Sequence, residues 1–301
     1  MKPSPFTYHR PRAIDEACQV LAEVGHEGKV LAGGQSLIPL LSMRLAAPAH
    51  LVDIGSIPGM DAVSASTEQG VTFHALTTHA VLEADPAAAR VQPLLSRALR
   101  LVAHPTIRNR GTTAGSIVHA DPSAEMPAVL ALLGGTVTVR SVRGDREIHA
   151  EDLFAGPLES TLEPDEIATS VTVPAAVPGV GTAIDEIARR HGDYALVGAA
   201  AQVRVADGVV TSARMTYVSA GELGQVVDCT PVLRGASATD DRDPRWQELS
   251  EVARTSIETE SDIHATARYR SQLVAVLTAR VAFAAAQDAV VNGARMSAGG
   301  R

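Results

Sequence analysis

Hydrophobic residues recur at helical spacing in several parts of the chain. The first such series is Ile14, Ala17, Cys18, Leu21 and Val24. It predicts a helix, and Gly25 follows at the position where helices commonly end. The same spacing predicts a helix that begins at Leu37, one across residues 94–102 and a last one across residues 266–291.

Short apolar runs and alternating runs predict the strands. They lie at residues 30–32, 51–54, 71–76, 136–142, 200–205 and 209–218. The first two flank the helix that begins at Leu37, so the N-terminal region follows a strand–loop–helix–strand order after its opening helix. Asp207 and Gly208 join the last two runs, and an Asp-Gly pair is typical of a two-residue hairpin.

A stretch rich in proline and glycine, residues 173–179, separates two halves of the chain. The total length of 301 residues fits about two domains. The sequence therefore predicts a first domain over residues 1–177 and a second, smaller domain over residues 178–301.

Composition and charge narrow the function classes. Hydrophobic residues make up 46% and charged residues 20% of the chain, as in a globular protein. The net charge of −8 and the 3% of aromatic residues disfavour a nucleic-acid partner. Two cysteines, Cys18 and Cys229, are too few for a four-cysteine iron–sulfur or zinc site.

The apolar segments indicate where the protein is found. The N-terminal residues lack the apolar core of a signal peptide. The most apolar long stretch, residues 273–294, contains Arg280, Gln287 and Asp288, so it predicts an amphipathic or buried helix and no membrane span. We therefore expect a cytoplasmic protein whose cysteines are buried thiols.

The first candidate site is a glycine loop between a predicted strand and a predicted helix. Gly33 and Gly34 allow a tight turn and a close approach of the backbone to a ligand. Ser36 either caps the helix that follows or donates to a phosphate oxygen. The spacing matches neither the Rossmann nor the P-loop fingerprint. A plain strand–helix turn is the alternative interpretation.

The second candidate site is a polar loop across residues 107–117. Arg108 and Arg110 precede a run of glycine and hydroxyl residues at 111–116, whose amides and hydroxyls suit phosphate. A solvated polar turn is the alternative here. Two such loops in one domain favour a dinucleotide such as FAD, because its pyrophosphate needs many hydrogen-bond donors.

Other polar residues carry weaker signals. The irregular spacing of His119, Asp121 and Glu125 disfavours a metal site. Two interpretations stay open for them: a carboxylate that binds a ribose or ribityl hydroxyl, and a helix with Pro122 at its first position. Tyr194 lies either in a surface turn or against an aromatic ring system. No catalytic triad or Cys–His pair stands out, so we predict no catalytic residue.

These segments together resemble the FAD-binding medium subunit of the molybdenum hydroxylases, the carbon monoxide dehydrogenase and xanthine dehydrogenase family. Residues 32–37 resemble the family's A-G-G-[HQ]-S-L loop. Residues 107–127 resemble its I-R-N-R-G-T-[IV]-G-G-x-[LI]-x-H-x-D-P-x-x-[DE]-x-P element. Weaker similarities follow at residues 151–154, 162–167, 190–195 and 262–270. The resemblance covers nearly the whole chain in the same order.

The resemblance implies a fold and a cofactor. The fold class is α+β, with a vanillyl-alcohol-oxidase-like (PCMH) FAD-binding domain followed by a small α/β C-terminal domain. FAD would be bound non-covalently, because Gln35 stands where many relatives carry a histidine. The implied FAD-binding residues are Lys29, Val30, Leu31, Ala32, Gly33, Gly34, Gln35, Ser36, Leu37, Thr112, Thr113, Ala114, Gly115, Ser116, Glu125, Ile167 and Tyr194.

Four positions differ from the pattern that the resemblance implies. Ala114 replaces the first of two adjacent glycines, and Thr113 replaces an aliphatic residue. Asp185 and Glu186 stand where relatives often carry a lysine. These differences bear on the affinity for FAD and leave the fold untouched.

The resemblance also implies a function. The chain would pass electrons from the [2Fe–2S] clusters of a small iron–sulfur subunit, through FAD, to an external acceptor. A large subunit would carry the molybdenum cofactor, and the assembly would be a dimer of heterotrimers. Two alternatives stay open: a stand-alone flavoenzyme on the same fold that acts on its own small molecule, and a non-catalytic assembly subunit.

Overall fold

The computed structural model describes residues 2–299, and it opens with a small parallel sheet. Its strands are β1 (Thr7–His9), β2 (Gly28–Leu31) and β3 (His50–Asp53), in the order β1-β3-β2. Helix α1 (Ile14–Val24) buries Ala17, Cys18 and Leu21 against this sheet, and helix α2 (Leu37–Met43) follows β2. The predicted helix end at Gly25 is confirmed, because Gly25 has φ 54° and donates its backbone N–H to the oxygen of Leu21.

A larger antiparallel sheet follows, with order β4-β5-β10-β6-β7. The strands of this region are β4 (Val63–Ser66), β5 (Gly70–His74), β6 (Thr136–Ser141), β7 (Gly144–His149), β8 (Phe154–Gly156), β9 (Glu159–Ser160) and β10 (Ile167–Val173). Its helices are α3 (His79–Ala84), α4 (Pro86–Val91), α5 (Pro93–Leu99), α6 (Pro105–Arg108), α7 (Thr113–His119) and α8 (Glu125–Leu133). α8 is buried along its whole length, and together with Phe73 of β5 it forms the main core of this region.

The last region is a second antiparallel sheet with helices on one face. Its elements are β11 (Val180–Ala188), β12 (Ala195–Ala206), β13 (Val209–Val218), β14 (Val227–Asp228), α9 (Thr230–Leu233), α10 (Pro244–Ser256) and α11 (Ala267–Gly299). The predicted hairpin is confirmed: Asp207 and Gly208 both have positive φ, and Ala206 pairs with Val209.

The two antiparallel regions pack against each other through α8. Ala128 of α8 contacts Ala195 of β12 and Val218 of β13. At the far side of this interface, Arg97 of α5 forms an ion pair of 2.7 Å with Asp288 of α11. The predicted boundary between residues 177 and 178 falls in the connection between β10 and β11, and it stays a prediction.

Helix α11 is long and apolar enough to cross a membrane by composition, and no other helix within residues 2–299 is. Half of its most apolar window is buried inside the protein. Val274, Leu277 and Val281 pack into the core formed with β12, β13 and α10. The helix therefore serves as the core helix that the sequence predicts.

Close packing of α11 on β11 gives the first test. A Cβ atom on Gly181 would lie 2.1 Å from the backbone oxygen of Ala285 and 2.1 Å from the backbone nitrogen of Ala289. We expect Gly181→Ala to destabilise the protein by roughly 1–3 kcal/mol, because the helix must move off the sheet. Urea unfolding of the full chain measures this loss.

Gly293→Ala is the matched control for that experiment. A Cβ at this position has no neighbouring atom within 4 Å, and Gly293 lies inside α11. The change should therefore stabilise by about 0.5–1 kcal/mol. If Gly181→Ala is as stable as the wild type, or if both variants shift the unfolding midpoint equally, the close approach of α11 to β11 is contradicted.

Candidate functional site

Two loops that are distant in sequence meet in the structure. The first loop (residues 32–36) connects β2 to α2, and the second loop (residues 109–112) connects α6 to α7. A Cβ atom on Gly33 would lie 2.3 Å from the backbone oxygen of Arg110 and 2.9 Å from the Cα atom of Gly111. No side chain fits at such distances, so the absence of one at Gly33 lets the two backbones touch.

The hydroxyl residues that follow the second loop begin a helix. α7 starts at Thr113, and Thr112 caps it: its Oγ1 accepts a hydrogen bond from the backbone amide of Gly115 at 3.2 Å. A Cβ on Gly115 would lie 2.6 Å from that oxygen. The prediction of a polar loop over residues 107–117 is therefore wrong for its second half, because Thr112 was not recognised as a helix cap.

Ser36 behaves differently from Thr112. It occupies the N-cap position of α2, yet its side chain makes no capping hydrogen bond and the residue is exposed. Gln35 turns back and donates from Nε2 to the backbone oxygen of Gly33 at 3.1 Å. The Ser36 hydroxyl thus stays available at the surface of the first loop, as the phosphate interpretation requires.

Two of the residues that differ from the family pattern face inward. Thr113 is fully buried, and its Oγ1 lies 3.1 Å from Nδ1 of His79 in a hydrogen bond. Ala114 packs into the main core beside Ile117. The methyl group of Ala114 is therefore directed away from the surface of the second loop, and it does not narrow the approach of a ligand there.

A cavity of about 610 Å³ opens beside the first loop. Its wall includes Arg10, Ser56 and Arg110, and Nε of Arg10 donates to Oγ of Ser56 at 2.7 Å. The volume lies in the range of ligand sites. A second cavity of about 560 Å³ lies among turns near Gly70 and Gly134, and it contains none of the predicted site residues.

Sequence reasoning missed Arg10, Asp53 and Ser56 as residues of this cavity. Arg10 follows the parallel strand β1, while Asp53 and Ser56 lie at and beyond the end of β3. The carboxyl ends of parallel strands meet at one edge of a sheet, and ligands bind there in open α/β sheets. That rule could have joined these residues to the first loop, but β1 is too short and exposed to show an apolar pattern.

Carboxylates and an aromatic ring gather at the start of α8. Glu125 is 7% exposed, and burial raises its pKa to about 7 although its own backbone amide lowers it in part. Tyr194 is 68% exposed and lies in the turn before β12, as the surface-turn interpretation predicts. Loss of water around its hydroxyl and then the charge of Asp121 raise the pKa of Tyr194.

Glu186 faces this group from β11. Burial and then the negative charge of Glu125 raise its pKa to about 8, and its Oε2 atom is buried with no hydrogen-bond partner among residues 2–299. Asp185, its neighbour on the alternating strand, points to the other face of the sheet and forms an ion pair of 3.2 Å with Arg280. The two side chains therefore lie on opposite faces of the sheet, although the charge of Asp185 also contributes to the raised pKa of Glu186.

The remaining predicted residues surround the strand that leads into the first loop. Lys29 is exposed on β2. The pKa of His119 is lowered, mainly by burial; the charge of Asp121 opposes this shift and the charge of Lys29 adds to it. Ile167 is buried in a hydrophobic cluster against which Val30 and Ala32 pack. Leu31 lines the cavity, while Leu37 begins α2.

The interpretation of Pro122 as the first residue of a helix is wrong. α8 begins at Glu125, and Asp121 instead closes a turn by accepting a hydrogen bond from the Ser123 amide at 2.8 Å. Within residues 2–299, no group of three or more histidine, cysteine, aspartate or glutamate side chains could hold a metal ion.

Two protein-family models match this chain and together show its family. Residues 4–176 match the FAD binding domain in molybdopterin dehydrogenase, and residues 182–285 match the CO dehydrogenase flavoprotein C-terminal domain. This chain belongs to the FAD-binding medium subunits of the molybdenum hydroxylases. The cofactor of this FAD subunit is FAD, and in complexes of the carbon monoxide dehydrogenase type molybdenum and iron–sulfur groups belong to other subunits.

Named relatives and solved structures agree with this family. The FAD subunit is 40% identical to the nicotine 6-hydroxylase medium subunit of Paenarthrobacter nicotinovorans over 93% of this chain and 97% of that one. Quinoline 2-oxidoreductase of Pseudomonas putida 86 contains a chain with 36% identity and a TM-score of 0.88, over 96% of this chain and 99% of that one.

Carbon monoxide dehydrogenase of Hydrogenophaga pseudoflava contains another similar chain, with 30% identity and a TM-score of 0.87 over 96% of the FAD subunit and 99% of that chain. The predicted fold, a FAD-binding domain followed by a C-terminal domain of the carbon monoxide dehydrogenase kind, is confirmed. The FAD subunit is part of an oxidoreductase, as the resemblance implied.

The buried carboxyls predict how the stability of the FAD subunit depends on pH. The folded state raises the pKa of Glu125 to about 7 and that of Glu186 to about 8, so it binds protons more tightly than the unfolded chain. The stability that this binding contributes is complete at acid pH and is lost as the pH rises through 7 and 8. Glu186→Gln keeps a neutral side chain and should raise the melting temperature at pH 8.5 by about 2–4 °C, with little change at pH 5.

Glu248→Gln serves as the control, because Glu248 is an exposed residue of α10. Melting curves of the protein without added flavin, recorded from pH 5 to 8.5, compare both variants with the wild type. A pH dependence that Glu186→Gln leaves unchanged would contradict a buried, proton-binding carboxyl at this position.

Proposed function

We propose that this FAD subunit holds its cofactor in the cavity beside the point where the first and second loops meet, and that it transfers electrons between a partner subunit and an external acceptor. Electrons would arrive one at a time from [2Fe–2S] clusters in a small partner subunit, after a large partner subunit has oxidised its substrate at a molybdenum cofactor. They would leave to an external acceptor such as oxygen, a quinone or NAD+. FAD supplies the redox chemistry, since flavins exchange electrons singly or in pairs.

The backbone contact at Gly33 is the observation that carries this proposal. It brings the amides and carbonyls of two glycine-containing loops together at the edge of a cavity of about 610 Å³. Such a backbone cradle accommodates a pyrophosphate, which needs several donors and tolerates no intruding side chain. Arg10 and Arg110 add positive charge to the cavity wall, where they outnumber the one carboxylate, that of Asp53. The residues present therefore fit FAD.

The proposed FAD-binding residues are those named from the resemblance, in three groups. The loop group, residues 32–37 with Thr112, Gly115 and Ser116, would bind the pyrophosphate and the ribityl chain, and residues 29–31 would line the strand that leads to it. Glu125 and Tyr194 would contact the sugar or chain and the flavin ring. The buried residues Thr113, Ala114 and Ile167 would act from beneath, by shaping the backbone. Binding without a covalent bond fits Gln35, which offers no histidine nitrogen to the flavin.

Glu125 is suited to a hydrogen bond with a neutral partner. Its carboxyl is buried and its pKa lies at about 7, so part of the population carries a proton that can be donated to a hydroxyl group. No residue of this chain needs to act as acid or base on the substrate, because the substrate would react in the large subunit.

A stand-alone flavoenzyme is the weaker alternative. Several similar proteins carry names of subunits, such as the medium subunit of nicotine 6-hydroxylase and subunit beta of caffeine dehydrogenase. The proposal accordingly includes a small iron–sulfur subunit and a large molybdenum subunit, a dimer of heterotrimers, and a cytoplasmic location.

Gly33→Ala tests the cradle directly. The new methyl group must push the second loop away, so we expect FAD affinity to fall by more than tenfold while the far-ultraviolet circular dichroism spectrum is retained. Gly156→Ala is the matched control, because a Cβ there has no neighbour within 4 Å. Flavin absorbance per protein after purification, followed by titration with FAD, gives the result. Wild-type FAD content in Gly33→Ala would show that the contact of the loops does not form the site.

The electron path needs the complex with both partners. In that complex, Gly33→Ala should leave reduction of the iron–sulfur clusters by substrate intact and should abolish reduction of the external acceptor, whereas Gly156→Ala should leave both unchanged. Rapid-mixing absorbance spectra separate the two steps. Acceptor reduction at the wild-type rate by a complex free of FAD would refute the proposed role of this subunit.

A further inference from the structure

His79 lies directly behind the second loop and takes no part in the function proposed above. It is the first residue of α3, it is 4% exposed, and no element of the sequence pattern drew attention to it. Burial, and then the positive charge of Arg108, lower its pKa to about 4. The imidazole is therefore neutral at ordinary pH, and it can accept one hydrogen bond and donate another.

Three contacts attach the segment around His79 to the second loop. The backbone N–H of His79 donates to the oxygen of Gly111 at 2.9 Å, and the backbone N–H of Thr113 donates to the oxygen of Thr77 at 3.0 Å. The imidazole Nδ1 and the Thr113 Oγ1 atom share a hydrogen bond of 3.1 Å. Together they fix both ends of the short stretch from Gly111 to Thr113.

The imidazole ring also sets where Gly111 lies. A Cβ on Gly111 would be only 3.0 Å from Cδ2 of His79, so the ring packs on the backbone of this glycine. The opposite side of the same stretch touches Gly33 of the first loop. The second loop is thus held between a buried imidazole and the first loop.

An ion pair secures the same segment at its other end. Glu83 of α3 and Arg108 of α6 are 2.9 Å apart and largely buried. Nη1 of Arg108 also donates to the backbone oxygens of Val102 and Ala103. This pair holds α3 next to the start of the second loop, while Thr77 and His79 act on its end, and the imidazole of His79 reaches the stretch that touches Gly33.

We infer that His79 is a positioning residue, which holds Gly111 and Thr113 at the distance from Gly33 that the proposed FAD cradle requires. The inference rests on the proposed function for its consequence in FAD binding. It concerns a residue that does not touch the ligand: the side chain is covered by protein and works through the backbone of the second loop.

Paired variants separate this role from simple filling of the core. His79→Leu keeps most of the volume and loses the hydrogen bond, whereas His79→Asn retains a side-chain nitrogen or oxygen near the position of Nδ1. Thr113→Val removes the partner hydroxyl and changes little else. If His79→Leu does not fold, Thr113→Val removes the same hydrogen bond with a smaller change.

The first measurement is the FAD dissociation constant of the full chain, from quenching of flavin fluorescence. We expect His79→Leu and Thr113→Val each to weaken FAD binding about tenfold, the equivalent of one net hydrogen bond. His79→Asn should stay within about threefold of the wild type. The double variant His79→Leu/Thr113→Val should be no weaker than either single variant, since both remove the same interaction.

The second measurement does not depend on FAD. Amide hydrogen exchange of the protein without added flavin should be faster over residues 111–116 in His79→Leu and Thr113→Val, and should remain as in the wild type in His79→Asn. Unchanged exchange and unchanged FAD affinity in both variants would overturn the inference. If the wild-type chain binds no FAD, yet the two variants still exchange faster than it does over residues 111–116, the proposed function is overturned and the positioning role of His79 stays supported.

Discussion

The close contact between Gly33 and the backbone of the second loop is the constraint on which the site depends. Two peptide segments can approach this closely only where one of them carries no side chain. Neighbouring residues then hold the two segments in this position. Thr112 does so by capping α7, and Thr113 does so through the buried His79. A ligand at this cradle is met by the protein backbone, and the side chains mainly provide the support.

The second antiparallel sheet packs against α8, and the ion pair of Arg97 with Asp288 joins α5 to α11 at the far side of this interface. Burial alone would raise the pKa of Asp288, but the guanidinium of Arg97 and the backbone amide of Thr182 outweigh that effect and lower it. The pair is only partly buried, so solvent screens it and its contribution to stability is modest. The two regions of the chain are therefore joined by small apolar side chains at the centre and by a charged contact at the edge.

Much of this architecture follows from local signals. The helical spacing before Gly25, the apolar strand ahead of the first loop and the hairpin at Asp207 and Gly208 are all short-range patterns, and the structure confirms each of them. The spacing of the two glycine loops and the resemblance they carry indicated the family. The predicted site residues were largely chosen from that resemblance.

What sequence reasoning missed is either very short or non-local. Two of the missed helices, α4 and α6, begin at a proline and have at most six residues, too few to show an apolar stripe. The role of His79 depends on its contact with Thr113, 34 residues away, and no pattern within a window of sequence reports such a pair. The opposite directions of Asp185 and Glu186 follow from strand alternation, but only once β11 is known to have one face towards the core of the first antiparallel region and the other on α11.

The carboxyls of Glu125 and Glu186 give the interface between α8 and the second sheet a property of its own. Burial raises the pKa of Glu125 to about 7 and that of Glu186 to about 8, so at neutral pH Glu186 is mostly protonated and Glu125 is protonated in part of the population. Any movement of the sheet away from α8 would admit water, lower both pKa values and release protons to the solvent. Separation of these two surfaces would therefore be linked to proton release, so that an alkaline solution weakens their contact relative to an acidic one.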